Sequence, residues 1–319
     1  MFNPFLLTKK PPNHLSFGGL DRKSHLREDY LHLQKIIKNK NTKVLPIFKN
    51  KNLFKKPKNS NDIIEPAFIP IEIIRKYIYQ KSKLIYLGEK LENKKYFSYI
   101  ACDFSNFEEE FIKVNVLPFG IFHDLREVNS LIDGFNGSLL AYARAMVYWQ
   151  SQNQFCSICG SYNKIVKNGH QMNCSNLKCN NSSFPRSDPA VIMLVYKNDK
   201  VLLGRQKVWR KGMYSTLAGF VEPGETLEHA VAREVYEESG VIVNNIVYHS
   251  SQPWPFHSSL MLGFFAEATT EKIKINEEEI EDVQWFSRNE LLNFRSYSKH
   301  LPRKLSISRR LIEDWIKSQ

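Results

Sequence analysis

Long apolar runs are missing from this chain of 319 residues. No stretch reaches the roughly 18 consecutive apolar residues that a bilayer-spanning helix needs, so no transmembrane helix is expected. Between Met1 and Lys10 there is no charged region ahead of an apolar core and no small-residue cleavage site, which argues against a secretory leader. The closing Lys317-Ser318-Gln319 is not a peroxisomal address, and no internal repeat is visible. Cysteine is scarce as well: there are five, four of them between Cys156 and Cys179, with Cys102 alone. Paired clusters in a chain without an export signal argue for metal and against a disulfide framework. Cys102 reads as an inert buried residue. Together these absences lead us to expect a cytoplasmic protein that does not enter membranes.

What is present is ample for folding. Hydrophobic residues make up 42% of the chain, enough for ordinary cores, and the length allows two or three domains. The formal net charge of +12 suits an anionic partner: nucleotide, nucleic acid or membrane surface. Lysine and asparagine crowd the stretch from Lys35 to Lys58, which reads as a solvated surface.

Patterning divides the chain into three parts. In residues 1–150, the first 25 or so look like a loose tail, a short helix is expected over 26–37, and strands over 44–48, 84–88 and 96–100. A helix is expected over 130–150, where Leu139, Tyr142, Ala143, Met146 and Val147 recur at helical spacing. This is a small α+β domain. Residues 151–186 hold the cysteines. From 187 to 319 the texture changes. Val191 to Val195 is a continuous apolar run, as in a strand buried on both faces, and 201–203 follows an Asn-Asp turn as its hairpin partner. A glycine-bearing loop, a helix over 226–239, strands over 246–249, 260–266 and 283–286, and a last helix over 306–316 complete the pattern.

The cysteines run Cys156-x2-Cys159, fourteen residues, then Cys174-x4-Cys179. Each pair can present two thiolates from one tight turn, and two such turns make a tetrahedral sulfur site that suits zinc. Gly160 supplies the permissive backbone that the first turn needs. Four thiolates leave zinc no open position for water, so a folding role is expected. Zinc ribbons also occur in nucleic-acid binders, so the cluster alone does not specify function.

The stretch from Gly219 to Val241 carries the chemistry. Gly219 and Gly224 let the loop fold tightly, and the helix that follows has Leu227, Ala230, Val231 and Val235 on one stripe. Glu234, Glu237 and Glu238 stand at i, i+3 and i+4, so their carboxylates gather on one side and repel. Hard divalent cations with oxygen ligands would compensate. Gly240 is a suitable C-terminal stop. The stretch resembles the Nudix box, G-x5-E-x7-R-E-U-x-E-E-x-G-U with U aliphatic, at nine fixed or restricted positions over twenty-three residues. The resemblance implies a Nudix α/β/α sandwich with a mixed sheet, preceded here by a zinc ribbon and the small α+β domain. It implies Mg²⁺ or Mn²⁺ held by Glu234 and Glu238 with Glu237 close by, a further ligand from the Ala218 carbonyl, and a structural pair of Arg233 with Glu225. Which glutamate acts as base stays open.

Beyond the box lies Ser251-Gln252-Pro253-Trp254-Pro255-Phe256-His257-Ser258-Ser259. Two prolines flanking an aromatic make a stiff, extended segment, and rigid aromatics suit stacking on a flat base. The segment resembles the S-Q-P-W-P-F-P-x-S array of the NADH pyrophosphatase branch of the Nudix family, which also places a four-cysteine zinc module before the Nudix domain. The resemblance implies that Gln252, Pro253, Trp254, Pro255, Phe256, His257, Ser258 and Ser259 line the nucleotide pocket. By the same carry-over Phe220 stacks on a ring, Glu279 completes the metal site, and Phe184, Arg126 and, through its backbone, Ser308 contact substrate. His257 stands where the family has proline, and Gly169 where some relatives have an acidic residue.

The expected reaction is hydrolysis of NADH or NAD to the nicotinamide mononucleotide and AMP. Removal of an NAD cap from RNA uses the same bond, and a homodimer is expected by resemblance. A non-catalytic nucleotide- or RNA-binding zinc module is the alternative from another class.

Overall fold

The computed structural model describes residues 12–16, 18–57, 64–77, 83–128, 132 and 134–318. Met1 to Lys10, where no leader is expected, lies outside them. The described residues divide into two compact units. One is Leu15–Arg186 together with Pro255–Ser258; the other is 12–14, Ser187–Trp254 and 259–318. No helix among the described residues is long and apolar enough to cross a membrane.

The first unit is built on strands β1 (Thr42–Phe48), β2 (Lys51–Phe54), β3 (Ile69–Pro70), β4 (Lys83–Glu92), β5 (Lys95–Asp103) and β6 (Ile121–His123). They form one sheet in the order β4-β5-β1-β2-β6, with β3 added on β1. β1 and β5 run parallel; the other pairs are antiparallel. Helices α1 (Tyr30–Lys38), α2 (Ile71–Ile74) and α3 (Glu109–Asn115) supply Ile36, Ile37, Ile71, Ile74 and Ile112 to a core with Val44, Leu53, Ile100, Cys102 and Phe104. Asp29 starts α1 by accepting from the His32 N–H at 3.0 Å, a cap of about 1 kcal/mol. That cap fixes the helix start four residues later than the sequence pattern suggested. After the short α4 (Leu125–Val128) comes α5 (Gly134–Gln152), whose burial extends beyond one stripe to include Arg144 and Gln150.

The ribbon strands β7 (Asn163–Val166), β8 (Gln171–Cys174) and β9 (Ser182–Ser183) make a three-stranded antiparallel sheet. It sits tightly on the first sheet. Gly169 has φ +97°, and a Cβ there would stand 2.8 Å from the Ile85 Cα and the Leu84 carbonyl oxygen. The Gln150 amide donates to the Gly169 carbonyl at 2.9 Å, and the His170 Nε2 lies 2.6 Å from the Tyr86 carbonyl. An acidic side chain at position 169 would have no room.

The second unit carries β10 (Asp188–Lys197), β11 (Lys200–Arg205), β12 (Leu217–Phe220), β13 (Val243–Trp254), β14 (Ser259–Ala268) and β15 (Asp282–Ser287). Their order is β13-β14-β10-β11-β15, with β12 also on β10; β10 and β14 are parallel, so the sheet is mixed. β10 shows why. Val191, Met193 and Val195 face one cluster with Ala230, Val231 and Val235 of α6 (Leu227–Ser239). Ile192 and Leu194 face the other, with Ile307, Leu311, Ile312 and Trp315 of α8 (Ile307–Lys317). A period of two on a strand covered on both faces produces the α/β/α sandwich. The short α7 (Arg288–Leu292) is opened by a Ser287–Glu290 capping box. The stretch ahead of the acidic helix, whose pattern predicts a loop, contains the strand β12.

Candidate active site

Helix α6 begins where the Thr226 hydroxyl accepts from the His229 N–H and ends at Gly240, in the left-handed region at φ +69°. Between these caps, Arg233 binds the acidic groups around it. Its guanidinium donates to both Glu225 oxygens at 2.6 and 3.1 Å, to Glu234 and Glu237 at 2.9 Å each, and to the Phe220 carbonyl at 2.9 Å. The hydrogen bonds from Arg233, with the Glu222 N–H, hold Glu225 down at about 2. Arg233 thus ties the loop to the helix and supplies, from within the chain, part of the compensation for the clustered carboxylates.

The three box glutamates do not share one environment. Glu237 is half-exposed and bonded to Arg233. Glu234 is mostly buried and packs against Gly219, where a Cβ would lie 1.8 Å from its carboxyl carbon. The box therefore needs glycine at 219. Glu238 is only 6% exposed, and its Oε2 has no hydrogen-bond partner. Burial first, then the charges of Glu234 and Glu279, push its carboxyl up to about 8, with the Ala218 backbone N–H partly opposing them. Glu234 is raised in the same direction, again by burial first.

A buried carboxylate oxygen without a donor, next to a second desolvated carboxylate, fits a hard divalent cation: the cation would satisfy the oxygen and remove the repulsion. The residues that would hold it are Glu238, Glu234, Glu279 in the exposed turn after Asn276, and the Ala218 carbonyl of β12.

The four cysteines are a second, separate arrangement. Their sulfurs all lie within 4.8 Å of one another, with Cys156–Cys179 at 3.7 Å and Cys159–Cys174 at 3.4 Å. A tetrahedron with metal–sulfur bonds near 2.3 Å has edges of about 3.8 Å. Backbone N–H groups of Ile158 and Asn176 point at the Cys156 and Cys174 sulfurs at 3.4 Å each. The donor set and spacing suit a four-coordinate metal with no open position.

The expected substrate residues fall into two groups. In the second unit, Gln252, Pro253 and Trp254 end β13 and Ser259 begins β14. Phe220 ends β12 with its ring 60% exposed. Gln252 is fully buried. Its amide donates to the His14 and Leu305 carbonyls at 2.8 Å each and accepts from the Ile307 N–H at 2.8 Å. Ser308 is buried too, with its hydroxyl 2.8 Å from those of Ser215 and Thr216. Both brace the backbone around the site.

In the first unit, Phe184 is 61% exposed. Pro255, Phe256, His257 and Ser258 form the turn after β13, and the Phe256–His257 peptide is cis. The Phe256 ring lies between two guanidiniums, Arg126 at 4.9 Å and Arg144 at 5.0 Å from its centroid. His257 stacks on Tyr148 at 5.0 Å and 19°. The sequence pattern had missed Arg144. It is buried on α5, donates to the Pro255 carbonyl at 3.1 Å and to the Asn50 carbonyl, and pairs with Asp124 at 3.6 Å. A charged residue on an otherwise apolar helix was the available signal.

Residues 186–309 match the NUDIX domain family. A NAD-capped RNA hydrolase of Schizosaccharomyces pombe is 34% identical over 367 residues, covering 99% of this chain and 97% of that protein. The human NAD-capped RNA hydrolase NUDT12 is 44% identical over 191 residues, 56% of this chain and 41% of its own length. NudC of Pseudomonas aeruginosa, also a NAD-capped RNA hydrolase, is 45% identical over 175 residues, 55% of this chain and 60% of its own. Apart from the S. pombe protein, the chain spans about half the length of the curated relatives it matches.

Proposed function

The chain belongs to the Nudix family, and from that premise we propose that it hydrolyses the pyrophosphate bond of NADH and NAD, releasing nicotinamide mononucleotide and AMP, and that the same site removes NAD caps from RNA. The observation that carries the reading is the buried Glu238 oxygen without a partner, beside Glu234, on the helix that Arg233 locks to the Gly219 loop. The likeness to NAD-capped RNA hydrolases supports the substrate class.

In this reading Glu238, Glu234, Glu279 and the Ala218 carbonyl hold Mg²⁺ or Mn²⁺. The bound cation would screen the diphosphate charge and acidify a water. In the second unit Phe220 and Trp254 offer ring faces to the nucleotide; the family resemblance gives Phe184, Phe256 and Arg126 of the first unit a substrate-contacting role as well. Pro253, Pro255, His257, Ser258 and Ser259 shape the wall, while Gln252 and Ser308 hold its backbone in place. Glu237 is bonded to Arg233 and helps orient that guanidinium. Cys156, Cys159, Cys174 and Cys179 hold one structural zinc. A homodimer in the cytoplasm completes the proposal.

The test is product analysis. Zinc-loaded protein with Mn²⁺ or Mg²⁺ should release AMP and reduced nicotinamide mononucleotide from NADH in equal amounts, and the oxidised mononucleotide from NAD-capped RNA. Folded, zinc-loaded protein that releases neither with either cation would overturn the reading.

A further inference from the structure

Two segments of the second unit that are far apart in sequence lie side by side. One is the loop 206–213 between β11 and β12; the other is 293–304, between α7 and α8. Met213 and His300 form a parallel bridge. The His300 N–H donates to the Gly212 carbonyl at 2.7 Å, and the Tyr214 N–H to the His300 carbonyl at 2.9 Å. Gly212, at φ +78°, makes the close approach possible: a Cβ there would meet the Ser298 carbonyl oxygen at 2.4 Å. The loop is folded on itself by turns, with the Trp209 N–H on the Gln206 carbonyl and the Met213 N–H on the Arg210 carbonyl, each at 3.0 Å.

The composition of this paired surface is one-sided. Lys207, Arg210, Lys211, Arg295, Arg303 and Lys304 are all exposed, and neither segment contains an aspartate or glutamate. Glu281 and Asp282, which flank the stem, are engaged by Arg205 and Tyr214. Tyr297 is exposed, Trp209 is partly so, and Val208 is 87% exposed. Cations interleaved with aromatic rings fit a single strand of nucleic acid, whose phosphates take the charges and whose bases take the rings.

We propose that this surface binds the RNA strand that follows the NAD cap. The inference rests on the capped-RNA part of the function proposed above and adds where the strand runs. Its position along the chain supports this occupant. The loop leads through Met213 and Tyr214 into β12, which carries Ala218, Gly219 and Phe220. Lys211 and Ala218 are seven positions apart along the chain, so the two lie at most about 25 Å apart. That is within reach of the first nucleotides of a strand whose cap is at the box. A free dinucleotide has no strand beyond its AMP half, so a surface that holds the following nucleotides would distinguish capped RNA from NADH.

The experiment measures fluorescence anisotropy of an uncapped, labelled single-stranded RNA of about 15 nucleotides over a salt series. Wild type is compared with Lys207→Gln/Arg210→Gln/Lys211→Gln and with a charge-matched control elsewhere, Lys35→Gln/Lys94→Gln/Lys95→Gln. The loop variant should bind about 10-fold more weakly, and its slope of log K against log salt should be smaller by about 2. The control should stay within about 2-fold of wild type. On NAD-capped RNA the loop variant should lose about 10-fold in kcat/KM through KM, with NADH turnover unchanged.

Equal RNA binding by wild type and loop variant, or an equal loss in the control, overturns the proposal. So does loss of binding to phosphatidylserine vesicles without loss on RNA, which would assign the face to a membrane surface. A wild type that cleaves NADH but binds no RNA refutes this surface and leaves the hydrolase reading standing. A wild type that binds RNA through the loop but cleaves neither substrate does the reverse.

Discussion

The ribbon and the acidic helix both crowd anionic ligand groups, and they resolve the crowding in opposite ways. The four thiols converge to within 4.8 Å of one another, and among the described residues no other set of three or more His, Cys, Asp or Glu ligand atoms is as close. Their turns are held by short-range backbone bonds, such as the Gly160 N–H on the Cys156 carbonyl at 2.9 Å. The carboxylates in and before α6 are instead partly neutralised: Arg233 takes Glu225, Glu234 and Glu237, while Glu238 is left buried and without a partner on Oε2. The first arrangement is complete in itself and suits a metal that only folds the chain. The second is left incomplete and suits a metal that must also meet substrate.

Four changes would break or sharpen that contrast. The largest effect is expected from Glu238→Gln: AMP release from NADH should fall roughly 10²–10³-fold while the protein keeps its zinc and its melting temperature. A measured loss within about 3-fold would show that the incomplete oxygen is not part of the reacting site.

Cys174→Ser should act on the other side of the contrast. Zinc content should drop and the melting temperature fall by at least about 5 °C, because metal binding is folding energy at such a site. An unchanged melting curve with zinc lost would deny the ribbon its structural role.

Gln252→Leu comes next. With three backbone partners left in a buried position, it should cost about 2–3 kcal/mol in urea unfolding. Unchanged stability with a raised KM would return Gln252 to the pocket wall.

The smallest effect concerns pH. Glu225 is held at about 2, below its ordinary 4.5, by Arg233. A depressed acid stabilises the fold above its unfolded value, and that stabilisation is lost as pH falls. Acid unfolding curves of wild type and Glu225→Gln should therefore differ above pH 4.5 and converge as pH falls toward about 2. Curves that stay parallel throughout would remove Arg233–Glu225 as the brace.

Much of this was legible in the sequence because it is local. The continuous apolar run of β10, the Gly240 stop of α6, the box spacing and the paired cysteines each depend on residues a few positions apart. What was not legible depends on partners distant along the chain. Position 252 carries a substrate motif by resemblance, yet its amide is placed by His14, Leu305 and Ile307. Arg144 reaches Pro255 across 111 positions. The basic surface forms only because Met213 and His300 pair. Short β12 was hidden because its glycine-containing stretch has little strand propensity of its own, and its pairing with β10 imposes the conformation. The helix expected from 130 begins at Gly134, and residues 130–131 lie outside the described residues.

The most direct test of the contrast follows both metals in one sample. Zinc per chain and AMP release from NADH are measured before mild chelation, after it, and after Mg²⁺ or Mn²⁺ is restored. Release should stop and return while zinc stays at one per chain and the melting temperature changes little. Release that persists through chelation with zinc in place, or that follows zinc content, would contradict it.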